Sequence, residues 1–167
     1  MPIGDSIQRL EDPTDREAPM AYQLDITATT DLSEIQRISQ VVEEFCRTHH
    51  LPQALTFHLN FALNELLTNI INYGYEQGAA DDQAVAIRIT LDNTRLTTEL
   101  RDRGRAFNPL KVEIPDLSLP VEQRPVGGLG IHLVRSLIDT LEYHREGDYN
   151  RLILRQDLPI SEDRKGR

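Results

Sequence analysis

The stretch NELLTNIINYGYE, residues 64 to 76, sets three oxygen-tipped side chains, Glu65, Asn69 and Asn72, among leucines and isoleucines. At about 100° per residue, the three fall within roughly 60° of one another on a helix. Leu59, Ala62, Leu63, Leu66, Leu67, Ile70 and Ile71 fill the adjoining half of the circumference, while Asn60, Asn64 and Thr68 take the far side. The three polar groups therefore stand at the margin where the helix leaves the core, and a cleft opens at such a margin. This placement has two readings. The groups are boundary residues bonded to water and loop backbone, or they are hard oxygen ligands of the kind that suits Mg²⁺. That ion takes one or two protein oxygens and keeps water and phosphate oxygens for its other positions.

Two further segments bear on the choice. RDRGRAFNP places Asp102 at the end of a strand-like run, with Gly104 two residues on. A carboxylate there can accept a hydrogen bond from an exocyclic amino group while the glycine leaves room for a flat ring. The same residues also make an ordinary turn. VGGLGIHLV places Gly127, Gly128 and Gly130 just ahead of a helix, where free backbone N–H groups form a ready anion site. It has no Gly-Lys-Ser/Thr, so it is not a P-loop, and it is not a clean G-x-G-x-x-G after a strand. Each signal is weak by itself; their order and separation are specific.

The elements that must position these residues are read from periodicity. MAYQLDITAT (20–29) alternates as a strand. Thr30 or Asp31 caps a helix with Leu32, Ile35, Ile38, Val41, Val42 and Phe45 at helical spacing, ending near His49 and His50. Pro52 suits the first turn of a second helix running to about Tyr73, before Gly74. AVAIRITLD (84–92) and RLTTELRD (95–102) form a hairpin through Asn93–Thr94. Residues 103–128 hold Pro109, Pro115, Pro120 and Pro125, too many for a long regular element, and a loop of that length is often a functional lid. A helix comes after the glycines, with Ile131, Val134, Leu137, Ile138 and Leu141 inward. LEYHRE and NRLILRQ close the chain as strands joined through Gly147–Asp148. The predicted architecture is α+β: a two-layer sandwich with helices on one face of a mixed, largely antiparallel sheet.

The totals exclude several classes. A net charge of -9 gives the surface no general attraction for nucleic acid or an anionic membrane, though a local basic pocket stays compatible with it. No apolar run approaches the roughly 20 residues needed to cross a bilayer. The opening residues 1–19 mix charge and proline without an apolar core; they read as a flexible leader rather than a secretory signal. Cys46 is the single cysteine, so an internal disulfide and a cysteine metal cage are both ruled out. His58, His132 and His144 show no metal-ligand spacing. The expected location is cytoplasmic.

Taken together, the motifs resemble those of the GHKL, or Bergerat-fold, ATP-binding superfamily, and most closely its bacterial anti-sigma-factor serine/threonine kinases. The resemblance covers residues 20–156, leaving 157–167 as a polar tail. NELLTNIINYGY is similar to the N box, which implies Glu65 as general base and Asn69 as Mg²⁺ ligand. Asn72 would contact phosphate or lid, or serve only the helix end, and Tyr73 packs. DRGRAF is similar to the G1 box, which implies adenine binding around Asp102, Gly104, Ala106 and Phe107; Ala106 replaces the second glycine usual there. GGLGIHLV is similar to the G2 box, implying triphosphate over Gly127, Gly128, Leu129 and Gly130. Residues 108–126 stand in the place of the ATP lid. The arginine often found two residues before the G-x-G is Val126 here, and Arg124 is the substitute candidate. The resemblance implies ATP and Mg²⁺, a small antagonist protein as phosphorylation substrate, a sigma factor or similar regulatory target, and a homodimer. Two alternatives stay open: a histidine-kinase catalytic domain acting in trans, and a nucleotide-dependent binding module without transfer chemistry.

Overall fold

The computed structural model describes residues 5–10, 21–75, 85–112 and 129–159. Six strands, β1 (Ser6–Leu10), β2 (Ala21–Ala28), β3 (Val85–Leu91), β4 (Arg95–Asp102), β5 (Thr140–Glu146) and β6 (Tyr149–Asp157), form one sheet in the order β1-β2-β3-β4-β6-β5. Alternation selects the buried face. Val85, Ile87, Ile89 and Leu91 point inward while the residues between them are exposed or half-buried, and Leu24, Ile26, Leu96, Leu100, Leu152 and Leu154 continue the same layer.

Three helices, α1 (Ser33–Thr48), α2 (Gln53–Asn69) and α3 (Leu129–Leu137), cover that face. α1 opens where Asp31 Oδ1 accepts the Ser33 N–H at 2.8 Å, and it closes at His50, whose φ of 54° lies in the left-handed region. Phe45, Val42 and Ile38 from α1 meet Leu59, Leu63 and Leu67 from α2 in the core. Each such side chain contributes about 1.5–3 kcal/mol by leaving water.

The structure departs from the sequence expectation in four places. First, every described strand pair is antiparallel, not mixed. Two antiparallel helices separate β2 from β3, so the chain re-enters the sheet reversed. The single helix α3 leaves β4 and β5 running the same way, but β6 inserts between them and removes the parallel contact. Second, part of the expected flexible leader is strand β1, with Ser6 opposite Asp25 and Leu10 opposite Ala21. Asp5 also receives Arg37 Nη1 at 2.7 Å, which ties this edge to α1. Ile7 of this strand is 58% exposed, so the short SIQRL segment lacks the apolar alternation of a strand with one face buried. Third, Asn60 and Asn64 face α1 rather than water: Asn60 Nδ2 donates to Glu43 at 3.3 Å, and Ser39 Oγ donates to Asn64 Oδ1 at 3.1 Å. α2 is enclosed on two sides, so its polar stripe is a helix–helix seam. Fourth, α3 stops at Leu137, and Leu141 belongs to β5. Asp139 accepts the Asp157 N–H at 2.7 Å and draws the chain into the sheet.

The outer face of the sheet carries cross-strand ion pairs, Asp25–Arg88 and Glu99–Arg151, each at 2.7 Å. Exposed pairs of this kind contribute roughly 0–1 kcal/mol each, so the helix-covered face supplies the stability. No helix among the described residues is long and apolar enough to cross a membrane.

His49 makes a testable feature of the α1 end. Its ring sits 4.2 Å from Tyr22 and 4.6 Å from Phe45, with Nε2 buried and unpartnered. Burial, and then the neighbouring His50, lower its pKa. The unfolded chain therefore takes up the proton first, and stability falls as pH drops below the ordinary histidine value of about 6.5. His49→Phe should lessen the drop in urea midpoint between pH 7 and pH 5.5; an unchanged drop contradicts the assignment.

Candidate functional site

The site begins at the end of β4, where alternation points Asp102 inward. Asp102 is only 4% exposed, and its Oδ1 accepts the Gly104 N–H at 2.7 Å and Asn150 Nδ2 at 3.0 Å. Asn150 stands directly opposite Asp102 in the β4–β6 register. Its carboxamide is fully used: Nδ2 also donates to the Arg105 carbonyl at 2.9 Å, while Oδ1 accepts the Tyr143 hydroxyl at 2.8 Å and Arg145 Nη1 at 2.9 Å. Arg145 Nη1 reaches the Gly104 carbonyl at 3.0 Å as well. A buried carboxylate is costly unless bonded, and this network supplies the bonds while fixing its rotation.

From the helix layer comes α2, which ends at Asn69 and continues as a π turn over Ile70–Gly74. Such turns add a residue to the helical repeat and shift the register of the residues beyond them. Asn72 is accordingly exposed and lies off the cavity wall, whereas Tyr73, expected to pack, is 66% exposed at the cavity rim. Asn69 Nδ2 donates to the Glu65 carbonyl at 2.8 Å, which commits the amide nitrogen to the helix and turns the carboxamide oxygen away from it. The π turn also delivers Gly74, whose carbonyl accepts the Arg105 N–H at 2.7 Å. A Cβ at Gly104 would stand 2.9 Å from that carbonyl and 2.8 Å from Asp102 Oδ1. Glycine is required at 104 because two backbones meet there, a different reason from the ring clearance expected of it.

These elements enclose a cavity of about 200 Å³. Asn69, Ile70, Tyr73 and Gly74 form one wall, Ala106, Phe107 and Pro109 another, and Leu152 and Tyr143 the back, with Asp102 and Asn150 between them. Apolar walls around a carboxylate acceptor suit a flat ring carrying an amino group. Ala106 and Phe107, expected at the site, both line it.

Glu65 lies one turn before Asn69, facing the head of α3. A Cβ on Gly130 would fall 1.8 Å from Glu65 Oε2, so a side chain there would push the Glu65 carboxylate out of its present position. The positive end of α3 faces the carboxylate there. Leu129 opens α3 and is exposed. Gly127, Gly128 and Arg124 lie outside the described residues, as does the expected lid beyond Val112. Its first part is a 3₁₀ turn, Pro109–Lys111, capped by Asn108 Oδ1 accepting the Leu110 N–H at 2.9 Å. The structure thus puts Asn69, Asp102, Ala106 and Phe107 on one cavity, Gly104 against Asp102, and Glu65 against Gly130, while Asn72 is exposed and off the cavity wall.

Motif reading misses Asn150, Tyr143, Arg145 and Gly74. The available signal is alternation in YNRLILRQ, where Asn150 and Gln156 share the inward face of Leu152 and Leu154 as its two polar members.

Fold and cleft together define an ATPase domain of the histidine kinase-like type. Residues 28–156 match the histidine kinase-like ATPase domain, and the chain belongs to that family. Among its relatives, it is 28% identical over 134 residues to the serine/threonine-protein kinase BtrW of Bordetella bronchiseptica, an alignment covering 79% of this chain and 89% of BtrW. It is 34% identical over 94 residues to the serine-protein kinase RsbW of Bacillus thuringiensis, covering 53% of this chain and 57% of that protein. The chain thus spans little more than half the length of RsbW. A crystal structure of the RsbU and RsbW domains of Rv1364c from Mycobacterium tuberculosis shares the fold, with a TM-score of 0.56 at 14% identity over 81% of this chain and 32% of that one.

Removing the Asn150 carboxamide takes one hydrogen bond each from Asp102, Tyr143 and Arg145. Asn150→Ala should therefore destabilise the fold by about 1–3 kcal/mol in urea unfolding. A loss below about 0.5 kcal/mol, ordinary for a surface position, contradicts the hub.

Proposed function

We propose that this chain is a serine/threonine protein kinase of the anti-sigma-factor type, which moves the terminal phosphoryl group of ATP to a serine of a small antagonist protein in the cytoplasm. The observation that carries this reading is the cleft itself. One helix presents Glu65 to the head of α3 and, a turn later, Asn69 to the cavity that ends at Asp102. Relatives named as serine or serine/threonine kinases support the protein substrate over simple hydrolysis.

Adenine would enter the apolar cavity, its amino group donating to the Asp102 carboxylate. The triphosphate would then extend past Asn69 toward the head of α3. Phosphoryl transfer asks chiefly for positioning and neutralisation of charge. The partner hydroxyl oxygen forms a bond to the γ-phosphorus as the bond to the ADP oxygen breaks, and the hydroxyl proton passes to the Glu65 carboxylate. ADP leaves with the electron pair of the broken bond.

The donor set fits Mg²⁺. A triphosphate at the head of α3 would lie against Glu65, and like charges so close would call for a cation between them. Among the described residues no group of three or more His, Cys, Asp or Glu could hold a metal unaided. The Asn69 oxygen would be the single protein ligand, with phosphate oxygens and water completing the shell. Bound there, the ion supplies charge neutralisation on the phosphates.

A phosphorylatable antagonist and a sigma factor or similar regulator competing for this surface would make the chain a partner switch. A second copy of the chain completes the proposed assembly.

The test uses purified chain, γ-labelled ATP and the candidate antagonist. Acid-stable label on a partner serine is expected; acid-labile label, or none, rejects the kinase assignment. Glu65→Gln should slow transfer by about 10²–10⁴-fold while retaining ATP binding, the range for loss of a general base. Transfer at the wild-type rate would remove Glu65 from that role.

A further inference from the structure

A second groove lies along the first half of α2, with Asn60 roughly 13 Å along the helix axis from Asn69. It measures about 560 Å³ and runs between two helices. Glu43 and Arg47 of α1 line one side; Gln53, Thr56, Phe57 and Asn60 of α2 line the other. None of these residues takes part in the transfer chemistry above. The polar groups of the groove are acceptors that lack donors. Asn60 is only 9% exposed, and its Oδ1 is buried with no hydrogen-bond partner. Its Nδ2 is spent on Glu43 Oε1 at a long 3.3 Å. Buried polar atoms are nearly always bonded, so an orphaned carbonyl oxygen in a groove wall marks a missing donor. Glu43 has no cation partner among the described residues, because Arg47 beside it is held by both carboxylate oxygens of Glu44 at 2.7 Å. Thr56 Oγ1 gives its proton to the Pro52 carbonyl at 3.3 Å, which leaves that oxygen an acceptor as well. Phe57 completes the set: it is 62% exposed, and its ring stacks with Phe61 at 6.4 Å between centroids.

We propose that this groove docks an arginine side chain of a protein partner, its guanidinium donating to Glu43 and Asn60 Oδ1 and its stem lying against Phe57. A carboxylate, a carbonyl oxygen and an aromatic face together make a receptor for a cation. Guanidinium suits it because it carries five N–H donors and no acceptor, in a planar fork that spans two acceptors and stacks on a ring. An ammonium is a point charge and satisfies one acceptor at a time. The Asn60 carboxamide is held by a single long bond, so a guanidinium that takes Glu43 releases it to turn its oxygen to the groove. The volume exceeds what one guanidinium fills, and the Phe57–Phe61 pair offers an apolar surface beside it. Both features fit a polypeptide segment with apolar residues flanking the arginine. The proposal stands apart from the nucleotide reading, since no residue is shared between the groove and the nucleotide cavity.

The probe is the capped tripeptide acetyl-Leu-Arg-Leu-amide, and its control carries citrulline, which keeps the shape of arginine and loses the charge. Titrated into the full isotope-labelled chain, the arginine peptide should shift the Asn60 side-chain amide and the Phe57 backbone amide saturably. The citrulline peptide should bind about tenfold more weakly. Glu43→Gln keeps an oxygen for Asn60 Nδ2 and removes the charge, so it should weaken the arginine peptide by about tenfold as well. Should that variant not fold, the comparison of the two peptides on the wild-type chain still decides. Equal binding of both peptides overturns the proposal, as does the absence of saturable shifts at millimolar peptide. A glutamate peptide, acetyl-Leu-Glu-Leu-amide, that binds in place of the arginine one would make Arg47 the receptor and overturn it too. Groove shifts that appear on raising the chain concentration alone assign the groove to a second copy, again against the proposal.

Discussion

The close approach of α2 to two other parts of the chain is the constraint on which the site depends. At Gly104 its terminal turn comes so near the β4 loop that a Cβ would stand 2.9 Å from the Gly74 carbonyl; at Gly130 the Glu65 carboxylate occupies the volume a side chain would need. At Gly104 the neighbour is backbone, which cannot step aside as a side chain can, so that approach is the tighter constraint. α2 can be held so tightly because it is enclosed: Leu59, Leu63 and Leu67 belong to the core that it shares with the sheet, and Asn60 and Asn64 are bonded to α1. The position of Glu65 and Asn69 is thereby set by the whole helical layer rather than by local sequence.

The sheet contributes the complementary half. β4 and β6 pair in a register that places Asn150 opposite Asp102, and the turn at Gly147, with φ of 59°, returns β6 at that register. Tyr143 and Arg145 then reach Asn150 from β5. Three strands and one loop thus determine the orientation of a single carboxylate. In a protein of net charge -9, this buried acid is stabilised by a local set of donors, and the surface charge elsewhere is irrelevant to it.

Much of this is legible from residue pattern alone. The helical spacing of α1 and α2, the alternation of β2, β3 and β4, and both hairpins correspond to the observed elements. Glu65, Asn69, Asp102 and Gly104 stand out in the sequence because each falls in a short segment that holds a whole motif. The features that escape a pattern reading depend on long-range pairing. β1 is defined by its partner β2, Asn150 matters because β6 inserts between β4 and β5, and Tyr73 stands exposed where α2 ends in a π turn. A period of 3.6 residues, extrapolated through residues 70–74, assigns Tyr73 to the packed side, where the structure leaves it 66% exposed. Periodicity reports a local conformation; it has no term for a helix that changes its repeat.

The central claim is that this cleft takes a magnesium-chelated adenine nucleotide between Asn69 and the head of α3. Isothermal titration of the folded chain with ATP, run once with magnesium present and once with it chelated, tests that claim most directly. The account predicts saturable heat at one site per chain with magnesium and a clear loss of affinity without it. Equal affinity in both conditions, or no uptake at millimolar nucleotide, contradicts it.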